Sequence, residues 1–442
     1  MASSARAWSA VCLFAWFGCF SESSQDDDDD DATSASASDP TSTSASTSTS
    51  TTSGMSTATS DPTSQTDPSL DGSSTTEGES TTDPTGACPA PGDAACNDTV
   101  AVVGELCFLE PEAKNGGDEQ IGALAIADID GDDVPDVAFA DGADGFVSFV
   151  AGGEVQNASP SAGEMPTWSV DVGPLEDRIA VAFGGASAEV YVVRFDGMAS
   201  TVDPPLAAPG IFATARFGDF DDDGRLDLVV GSDSSAMLYV HMNDGFGQFG
   251  GETSMLDVGP VSGITDLRVL VDDDFAYPGL AILTHDGRLI WTPPNDSGLG
   301  DFVEIDPMQT YGDPTTGRLA AGDLDADGDV DLAVGFDGRA FVFRASELGY
   351  MAPQSLGDAV VGNVVPTIAD VDNDGLPDIL LADPEETEIE IYVSVGDGFM
   401  EADPIQVPAM PRGVGVADFD EDCAADVVAL GPAWFEVSQS NP

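Results

Sequence analysis

Five short acidic loops constrain the fold of this chain most strongly. The clearest runs from Asp323 to Asp331 and reads D-x-D-x-D-G-x-x-D, with the apolar run 332–335 directly after it. Alternate aspartates in a tight turn can direct their carboxylates onto one point, and Gly328 allows the positive φ that such a turn needs. Hard oxygen ligands in a loop of this kind suit calcium, which takes six to eight of them.

The same offsets recur in loops that begin at Asp128, Asp219, Asp370 and Asp418. We predict one calcium ion in each of the five loops, held by the carboxylates of positions 1, 3, 5 and 9 and by the backbone carbonyl of position 7. Five solvated acidic turns without metal are the alternative interpretation. The predicted ligands are Asp128, Asp130, Asp132, Val134, Asp136, Asp219, Asp221, Asp223, Arg225, Asp227, Asp323, Asp325, Asp327, Asp329, Asp331, Asp370, Asp372, Asp374, Leu376, Asp378, Asp418, Asp420, Asp422, Ala424 and Asp426.

The acidic loops differ from EF-hands, which need a bidentate Glu at loop position 12 and helices on both sides. Position 12 is apolar in all five loops, and the flanking segments alternate or run apolar with β-branched residues, as in 123–127 and 137–140. Such flanks are typical of buried strands. Each loop is therefore predicted to join two strands of a hairpin.

The chain is repetitive from residue 100 onward. We take as a marker the residue directly before the apolar run, which is position 9 of each acidic loop. The gaps 136–227 and 227–331 are about twice as long as the others, and the apolar runs 179–183 and 280–283 indicate a repeat in each that has lost most of its carboxylates. Neither of these two repeats is expected to hold calcium. The seven markers, about 50 residues apart, are Asp136, Arg178, Asp227, Gly279, Asp331, Asp378 and Asp426.

Seven such units, each with three or four short strands, predict an all-β, seven-bladed β-propeller with calcium-binding hairpin loops. A solenoid of stacked units is the alternative. The last unit contains only three strands, and we predict that Val102–Leu109 supplies its fourth strand. A blade shared in this way closes the ring and removes the open sheet edges.

Four cysteines lie beyond the N-terminal segment, and an even number in an exported protein favours disulfides. The short spacing of Cys88 and Cys96 predicts a local bond. Cys107 and Cys423 would then join the N-terminal strand to the last blade. A zinc site remains the alternative, although the chain has no CxxC motif and only two histidines.

The N-terminal part indicates export and tethering. Residues 1–19 contain Arg6 followed by a short apolar stretch, which is typical of a signal peptide. Gly18–Cys19 favours lipoprotein processing, with a plainly cleaved signal as the alternative. Residues 20–87 are acidic and rich in Ser and Thr, with too little apolar bulk for a core, and are predicted to be a disordered linker. The propeller is predicted to span 88–442. We expect an exported protein of the cell envelope or cell surface, such as an outer-membrane lipoprotein, or a secreted one.

The charge of the chain limits its partners. The net charge is −69, from 81 acidic and 12 basic residues. Nucleic acid is excluded as a partner because a polyanion needs Lys and Arg, and a membrane contact is expected only through the N-terminal lipid anchor. Bound divalent cations would relieve the self-repulsion of such a chain.

These motifs resemble those of the VCBS/FG-GAP repeat family, whose best-known members are the propellers of integrin α-chains. The resemblance rests on the five acidic loops and on turns such as Asn243–Phe246 and Gly396–Phe399, and it covers about residues 100–440. It implies a seven-bladed propeller with calcium in the loops that join the two inner strands. The first loop departs from the family pattern because it has Asp133 where Gly is usual, and the last because it has Cys423.

The predicted function is that of a tethered, non-catalytic, monomeric binding or adhesion module for an unknown protein or polysaccharide. The binding face is expected opposite the acidic loops, in segments such as 141–144, 285–288, 337–339 and 383–386. A polysaccharide lyase or hydrolase is the second hypothesis, with Trp168, Trp291 and Trp434 as residues for sugar stacking. A structural surface-layer component is the third.

Overall fold

The computed structural model contains strands, turns and loops, and no helix, among the residues that it describes. None of these residues therefore lies in an apolar helix of membrane-spanning length. The structure describes Leu106, Phe108 and residues 112–439 except for 116–120, 142–145, 152–153, 158–166, 176–177, 186, 198, 247, 250–252, 273–274, 297, 308–316, 337–338, 347–348, 358–363, 384–385, 397, 423 and 432–433.

The described strands form seven antiparallel sheets of four or five strands each, which are the blades of a β-propeller. Strand β1 is Glu112–Asn115. Blade 1 contains β2 (Ile121–Ala127), β3 (Asp136–Asp141), β4 (Phe146–Ala151) and β5 (Glu154–Asn157). Blade 2 contains β6 (Thr167–Leu175), β7 (Arg178–Gly185), β8 (Glu189–Asp196), β9 (Ala199–Val202) and β10 (Leu206–Ala207). Blade 3 contains β11 (Ala213–Gly218), β12 (Asp227–Ser232), β13 (Ser235–His241) and β14 (Thr253–Asp257).

The remaining strands continue the same order. Blade 4 contains β15 (Ile264–Leu270), β16 (Gly279–Thr284), β17 (Arg288–Thr292) and β18 (Val303–Pro307). Blade 5 contains β19 (Arg318–Gly322), β20 (Asp331–Phe336), β21 (Arg339–Phe343) and β22 (Gln354–Leu356). Blade 6 contains β23 (Val365–Ala369), β24 (Asp378–Ala382), β25 (Glu388–Val395), β26 (Gly398–Glu401) and β27 (Ile405–Gln406). Blade 7 contains β28 (Gly413–Ala417), β29 (Asp426–Gly431) and β30 (Trp434–Ser438), with β1 on its outer edge.

The blades close into a ring rather than stack as a solenoid. The first strands of successive blades contact one another from β2 through β6, β11, β15, β19 and β23 to β28, and β28 contacts β2 again. These strands therefore surround the central channel. Seven apolar clusters lie between successive blades, and one of them joins blade 7 to blade 1 through Phe435 and Phe139.

The second strand of each blade is buried on both faces, which explains its continuous apolar run. In β12, Leu228 and Val230 pack toward blade 2, whereas Val229 packs toward blade 4. All seven markers predicted from the sequence are the first residues of these second strands, including Arg178 and Gly279 of the two worn repeats.

The N-terminal part of the chain supplies the fourth strand of the last blade, as predicted, but the predicted segment was wrong. The strand that pairs with β30 is Glu112–Asn115, with Lys114 opposite Phe435, and not Val102–Leu109. Leu106 and Phe108 pack instead against the apolar cluster between blades 6 and 7. The segment Val102–Leu109 was chosen for its apolar residues, but the outer strand of a blade does not need apolar residues.

Several predictions concern residues outside the described part of the chain. These are the signal peptide and Cys19, the linker, and the cysteines 88, 96, 107 and 423. The two disulfides, the boundary at residue 88 and the conformation at Cys423 therefore stay predictions.

Candidate metal centres in the first hairpin of five blades

The five acidic loops occupy equivalent places in blades 1, 3, 5, 6 and 7, between the first and the second strand. In each blade the first strand ends opposite position 9 of the loop, as in the pairs Gly322 with Asp331 and Ala369 with Asp378. The loop thus starts and ends on hydrogen-bonded strands, which fix the separation of its two ends.

Position 1 folds the loop around its own side chain. The carboxylate of Asp370 accepts hydrogen bonds from the N–H groups of Asp374, at 3.2 Å, and Gly375, at 2.9 Å. Asp323 accepts the corresponding bonds from Asp327 and Gly328. These bonds satisfy backbone donors that a tight loop would otherwise leave without partners.

The turn requires left-handed backbone at two positions, 4 and 6. Position 6 is Gly375 in blade 6, with φ of 87°, and Asp133 in blade 1, with φ of 71°. Asp tolerates this region better than most residues because its short side chain bonds locally, so Asp133 is compatible with the same turn. Position 4 is also left-handed, at Asn373 and even at Ala326, and sequence reasoning missed this requirement.

Position 9 ties the loop to the third strand of its blade. Asp378 is fully buried, and its two oxygens accept the N–H groups of Val371 at 2.9 Å and Ser394 at 2.8 Å. Asp227 makes the same pair of bonds to Phe220 and Asn243. Burial raises the pKa of Asp378 to about 6 despite these donors. The pKa values of Asp136, Asp227 and Asp331 are raised to about 6 for the same first reason.

Position 3 projects its carboxylate toward those of positions 1 and 9. Among the described residues, Oδ1 of Asp130 and Oδ1 of Asp325 are buried without a hydrogen-bond partner. Burial, and next the nearby Asp374, raise the pKa of Asp372 to about 6. The pKa values of Asp130, Asp221 and Asp420 are raised by burial and by their acidic neighbours. Negative charge is thus concentrated at position 3 of these loops.

In four loops the structure brings together positions 1, 3 and 9, and in blade 6 positions 1, 3 and 5. One oxygen of each residue in a group lies within 4.8 Å of those of the others. The carboxylate of position 5 also accepts a hydrogen bond from the N–H of position 7, as Asp327 does from Asp329 at 2.9 Å. The groups are Asp128, Asp130 and Asp136; Asp219, Asp221 and Asp227; Asp323, Asp325 and Asp331; Asp370, Asp372 and Asp374; and Asp418, Asp420 and Asp426.

Arginines stand beside two of these loops, and sequence reasoning missed this role. Nη1 of Arg344 lies 2.8 Å from Oδ2 of Asp331 and 3.6 Å from Oδ2 of Asp325, and its guanidinium lies over the ring of Phe399. Arg225 contacts Asp223 in the same way. Arg344 follows β21, and only the hairpin formed by β20 and β21 brings it back to the loop. Blade 5 therefore carries a built-in cation.

The comparison with known proteins agrees with this geometry. A family model described as an FG-GAP-like repeat matches residues 370–429, which run from the acidic loop of blade 6 to the second strand of blade 7. The chain is thus a β-propeller that contains an FG-GAP-like repeat in residues 370–429. No curated protein matches its sequence significantly.

Solved structures similar to this β-propeller share its fold at low sequence identity. BBS1N in its complex with ARL6DN has a TM-score of 0.54 and 13% identity, with 76% of this chain and 97% of that chain covered. The WD40 β-propeller domain of Doa1 has a TM-score of 0.51 and 13% identity, covering 75% and 97%. A chain of the Mitotic Checkpoint Complex has a TM-score of 0.55 and 11% identity, covering 75% and 94%. These likenesses show the fold alone.

The end of the β-propeller opposite the acidic loops carries the hairpins between the second and third strands. The segment 285–288 lies there, and so do the described residues of the segments 141–144, 337–339 and 383–386, each of which is in part outside the described residues. Of the tryptophans considered for sugar stacking, Trp291 packs edge-on against Tyr350 and Trp434 packs against the cluster between blades 6 and 7. Both are thus partly used in the core.

Proposed function

We propose that this FG-GAP propeller is a non-catalytic binding module, exported and held by its N-terminal linker, whose blades are stabilised by calcium. The observation that carries the proposal is the convergence of carboxylates at the same place in five blades, with buried oxygens of Asp130 and Asp325 that have no partner among the described residues. A bound cation is the simplest partner for such oxygens, because an unpaired buried charge is costly.

In each loop, the carboxylates of positions 1, 3, 5 and 9 and the carbonyl of position 7 would hold the ion. Calcium would supply the positive charge that the loop lacks. Two carboxylates about 4 Å apart repel each other by roughly 4 kcal/mol at an effective dielectric constant of 20. Oxygens that already accept a backbone N–H keep a second lone pair for a metal.

A structural role for the ion fits the hydrogen bonds better than a catalytic one. Positions 1 and 9 bind the backbone of their own blade, as Asp370 does with Gly375 and Asp378 with Ser394. The same loop is repeated five times, whereas catalysis requires one distinct set of groups. We therefore assign ligand binding to the hairpin face at the opposite end of the blades, for a protein or a polysaccharide.

Calcium binding is tested on the full chain by equilibrium dialysis with elemental analysis. We expect about five ions per chain, one for each acidic loop. The double change Asp370→Asn with Asp372→Asn should remove one ion, while the control Asp301→Asn, at an exposed residue outside the loops, should remove none. A metal-free protein at millimolar calcium would contradict the proposal.

The binding role is tested with the exported full chain as bait. Saturable binding to one glycan on an array would support this role. Capture of one envelope protein would also support it, provided that excess unlabelled propeller prevents the capture. Release of products from uronate polymers would instead indicate a polysaccharide lyase or hydrolase. Self-assembly into a lattice without either ligand would indicate a surface-layer component.

A further inference from the structure

The central channel of the ring contains a cluster of charged residues that the acidic loops do not use. Four consecutive blades contribute to it through their first strands: Asp171 from β6, Arg216 from β11, Asp266 and Arg268 from β15, and Arg318 from β19. The whole chain has only 12 basic residues against 81 acidic ones, and three of the basic residues meet here.

Hydrogen bonds hold this channel cluster across blade boundaries. Oδ1 of Asp266 accepts from Nη2 of Arg216 at 3.0 Å and from Nη1 of Arg268 at 2.9 Å. Nη1 of Arg216 also donates to the hydroxyl of Ser169 at 2.6 Å. Arg216 thus spans from blade 2 to blade 4 past its own strand, which places its guanidinium at the channel wall.

Positive charge is in excess in the channel cluster. Three arginines face two aspartates there, and the nearby arginines outweigh burial to hold the pKa of Asp266 below its usual value, so Asp266 is ionised. Burial, and next the positive charge of Arg216, lower the pKa of Arg268 to about 10. Arg318 adds to this repulsion. An anion in the channel would relieve it.

The cluster also leaves donors for a ligand. In the described part of the chain, the Arg318 guanidinium makes one hydrogen bond, from Nη1 to the carbonyl of Gly317. The Arg268 side chain keeps 28% of its surface exposed.

We propose that the central channel binds a small molecule through a single carboxylate, held by the guanidinium groups of Arg318 and Arg268. A planar guanidinium matches a carboxylate with two parallel hydrogen bonds. A single carboxylate suits the cluster because three arginines there face two aspartates, while the net charge of −69 repels polyanions from the surface. The site uses no residue of the acidic loops, so it stands or falls independently of the proposed calcium-dependent binding.

The test is calorimetric titration of the full chain with sodium glucuronate, with glucose as the neutral analogue and sodium chloride at matched ionic strength. Glucuronate should bind at one site per chain, and glucose and chloride should not. Arg318→Gln should weaken glucuronate binding by about tenfold or more, because a charge-assisted hydrogen bond is lost. The matched control Arg339→Gln, at an exposed arginine of the same blade, should leave it unchanged.

Arg318→Lys keeps the positive charge but lacks the planar guanidinium, so this variant should bind glucuronate with intermediate affinity. It also provides a test if the Arg318→Gln variant does not fold. Equal heats from glucuronate and chloride would overturn the proposal, as would unchanged affinity in the folded Arg318→Gln variant or the absence of glucuronate binding. Stronger binding of sulfate than of glucuronate would overturn the assignment of a carboxylate.

Discussion

Blades 4 and 6 solve the same structural problem with different chemistry. In blade 6 the carboxylate of Asp378 ties the loop to the third strand through the N–H of Ser394. In blade 4 the backbone does this, because Tyr277 and Asn295 exchange two N–H···O bonds of 2.9 and 3.1 Å. The position of Asp378 is taken by Gly279, beside which the carbonyl oxygen of Thr292 leaves no room for a side chain.

This comparison separates two roles of the acidic loop. Joining the first hairpin to the third strand is a requirement of the blade, and either a carboxylate or the backbone meets it. Collecting negative charge at positions 1, 3 and 5 is not required, since blade 4 packs as well as its neighbours without it. The charge therefore needs a separate explanation, which a bound cation supplies.

Removal of metal should have the largest effect, and it should act on blade 6 and not on blade 4. An ion that binds only the folded state adds about 2.7 kcal/mol per site at a hundredfold excess over Kd. Several such sites are large against a typical stability of roughly 5–15 kcal/mol. We expect EGTA to lower the Tm in calorimetry by about 10 °C or more.

Bulk salt is the control for this experiment, because calcium should restore the Tm while sodium chloride at the same ionic strength should not. Hydrogen exchange of the chelated protein should show faster opening in blade 6 than in blade 4. An unchanged melt in EGTA, with no calcium found by elemental analysis, would leave only acidic turns.

Loss of the position-9 carboxylate should be the next largest effect. Asp378→Ala leaves the buried N–H groups of Val371 and Ser394 without acceptors, which should lower the free energy of unfolding by about 2–5 kcal/mol, with or without calcium. Asp378→Asn retains one acceptor oxygen and should lose less. Asp272→Ala, in the worn loop of blade 4, should change the value by about 0.5 kcal/mol or less. Urea unfolding measures all three, and equal losses at 378 and 272 would contradict the separation of roles.

The reverse change tests the packing of blade 4. Gly279→Ala places a methyl group 2.3 Å from the carbonyl oxygen of Thr292, so the loop or β17 must move. We expect a loss of about 1–3 kcal/mol in the free energy of unfolding, typical of overpacking. Gly298→Ala provides a comparison in the same blade, since that position is open but has φ of 93°. A neutral Gly279→Ala would show that blade 4 can accommodate a side chain at position 9.

The pH dependence of stability should reverse when metal is removed. The folded-state pKa values of Asp136, Asp227, Asp372 and Asp378 are raised to about 6, above the value of about 3.9 for an unfolded aspartate. The folded state then binds more protons, so the metal-free protein should gain stability as the pH falls from 7 toward 4. With calcium, protons compete with the ion and stability should fall over the same range. Melting curves from pH 7 to 4.5, with EGTA or with calcium, measure how stability changes with pH in each state. The same pH dependence in both states would contradict the claim that these carboxylates bind calcium.

Much of this fold was predictable because its strongest signal is local. A carboxylate at position 9 followed by a buried strand marks five blades, and the two worn repeats kept the apolar run at Ile179 and Leu280. The outer strand of blade 7 was misplaced because an edge strand such as Glu112–Asn115 has no apolar pattern. The left-handed backbone at Ala326 is imposed by the loop and not by the residue. The channel cluster and Arg344 depend on contacts between distant segments, which spacing does not reveal.

Arg344 provides the smallest effect and distinguishes the five acidic loops from one another. Its guanidinium lies 2.8 Å from Asp331, so in blade 5 it competes with a metal for the carboxylates, whereas the loop of blade 6 has no arginine contact in the described residues. Arg344→Gln should therefore raise the calcium affinity of one site several-fold while lowering metal-free stability by about 1 kcal/mol, the value of a hydrogen bond. Calcium titration should show one weak site in the parent that merges with the others in the variant. Arg339→Gln is the matched control, at the exposed first residue of β21, the strand that Arg344 follows. A parent protein with five equal sites, or an Arg344→Gln variant with weaker calcium binding, would show that Arg344 supports the loop and does not substitute for the ion.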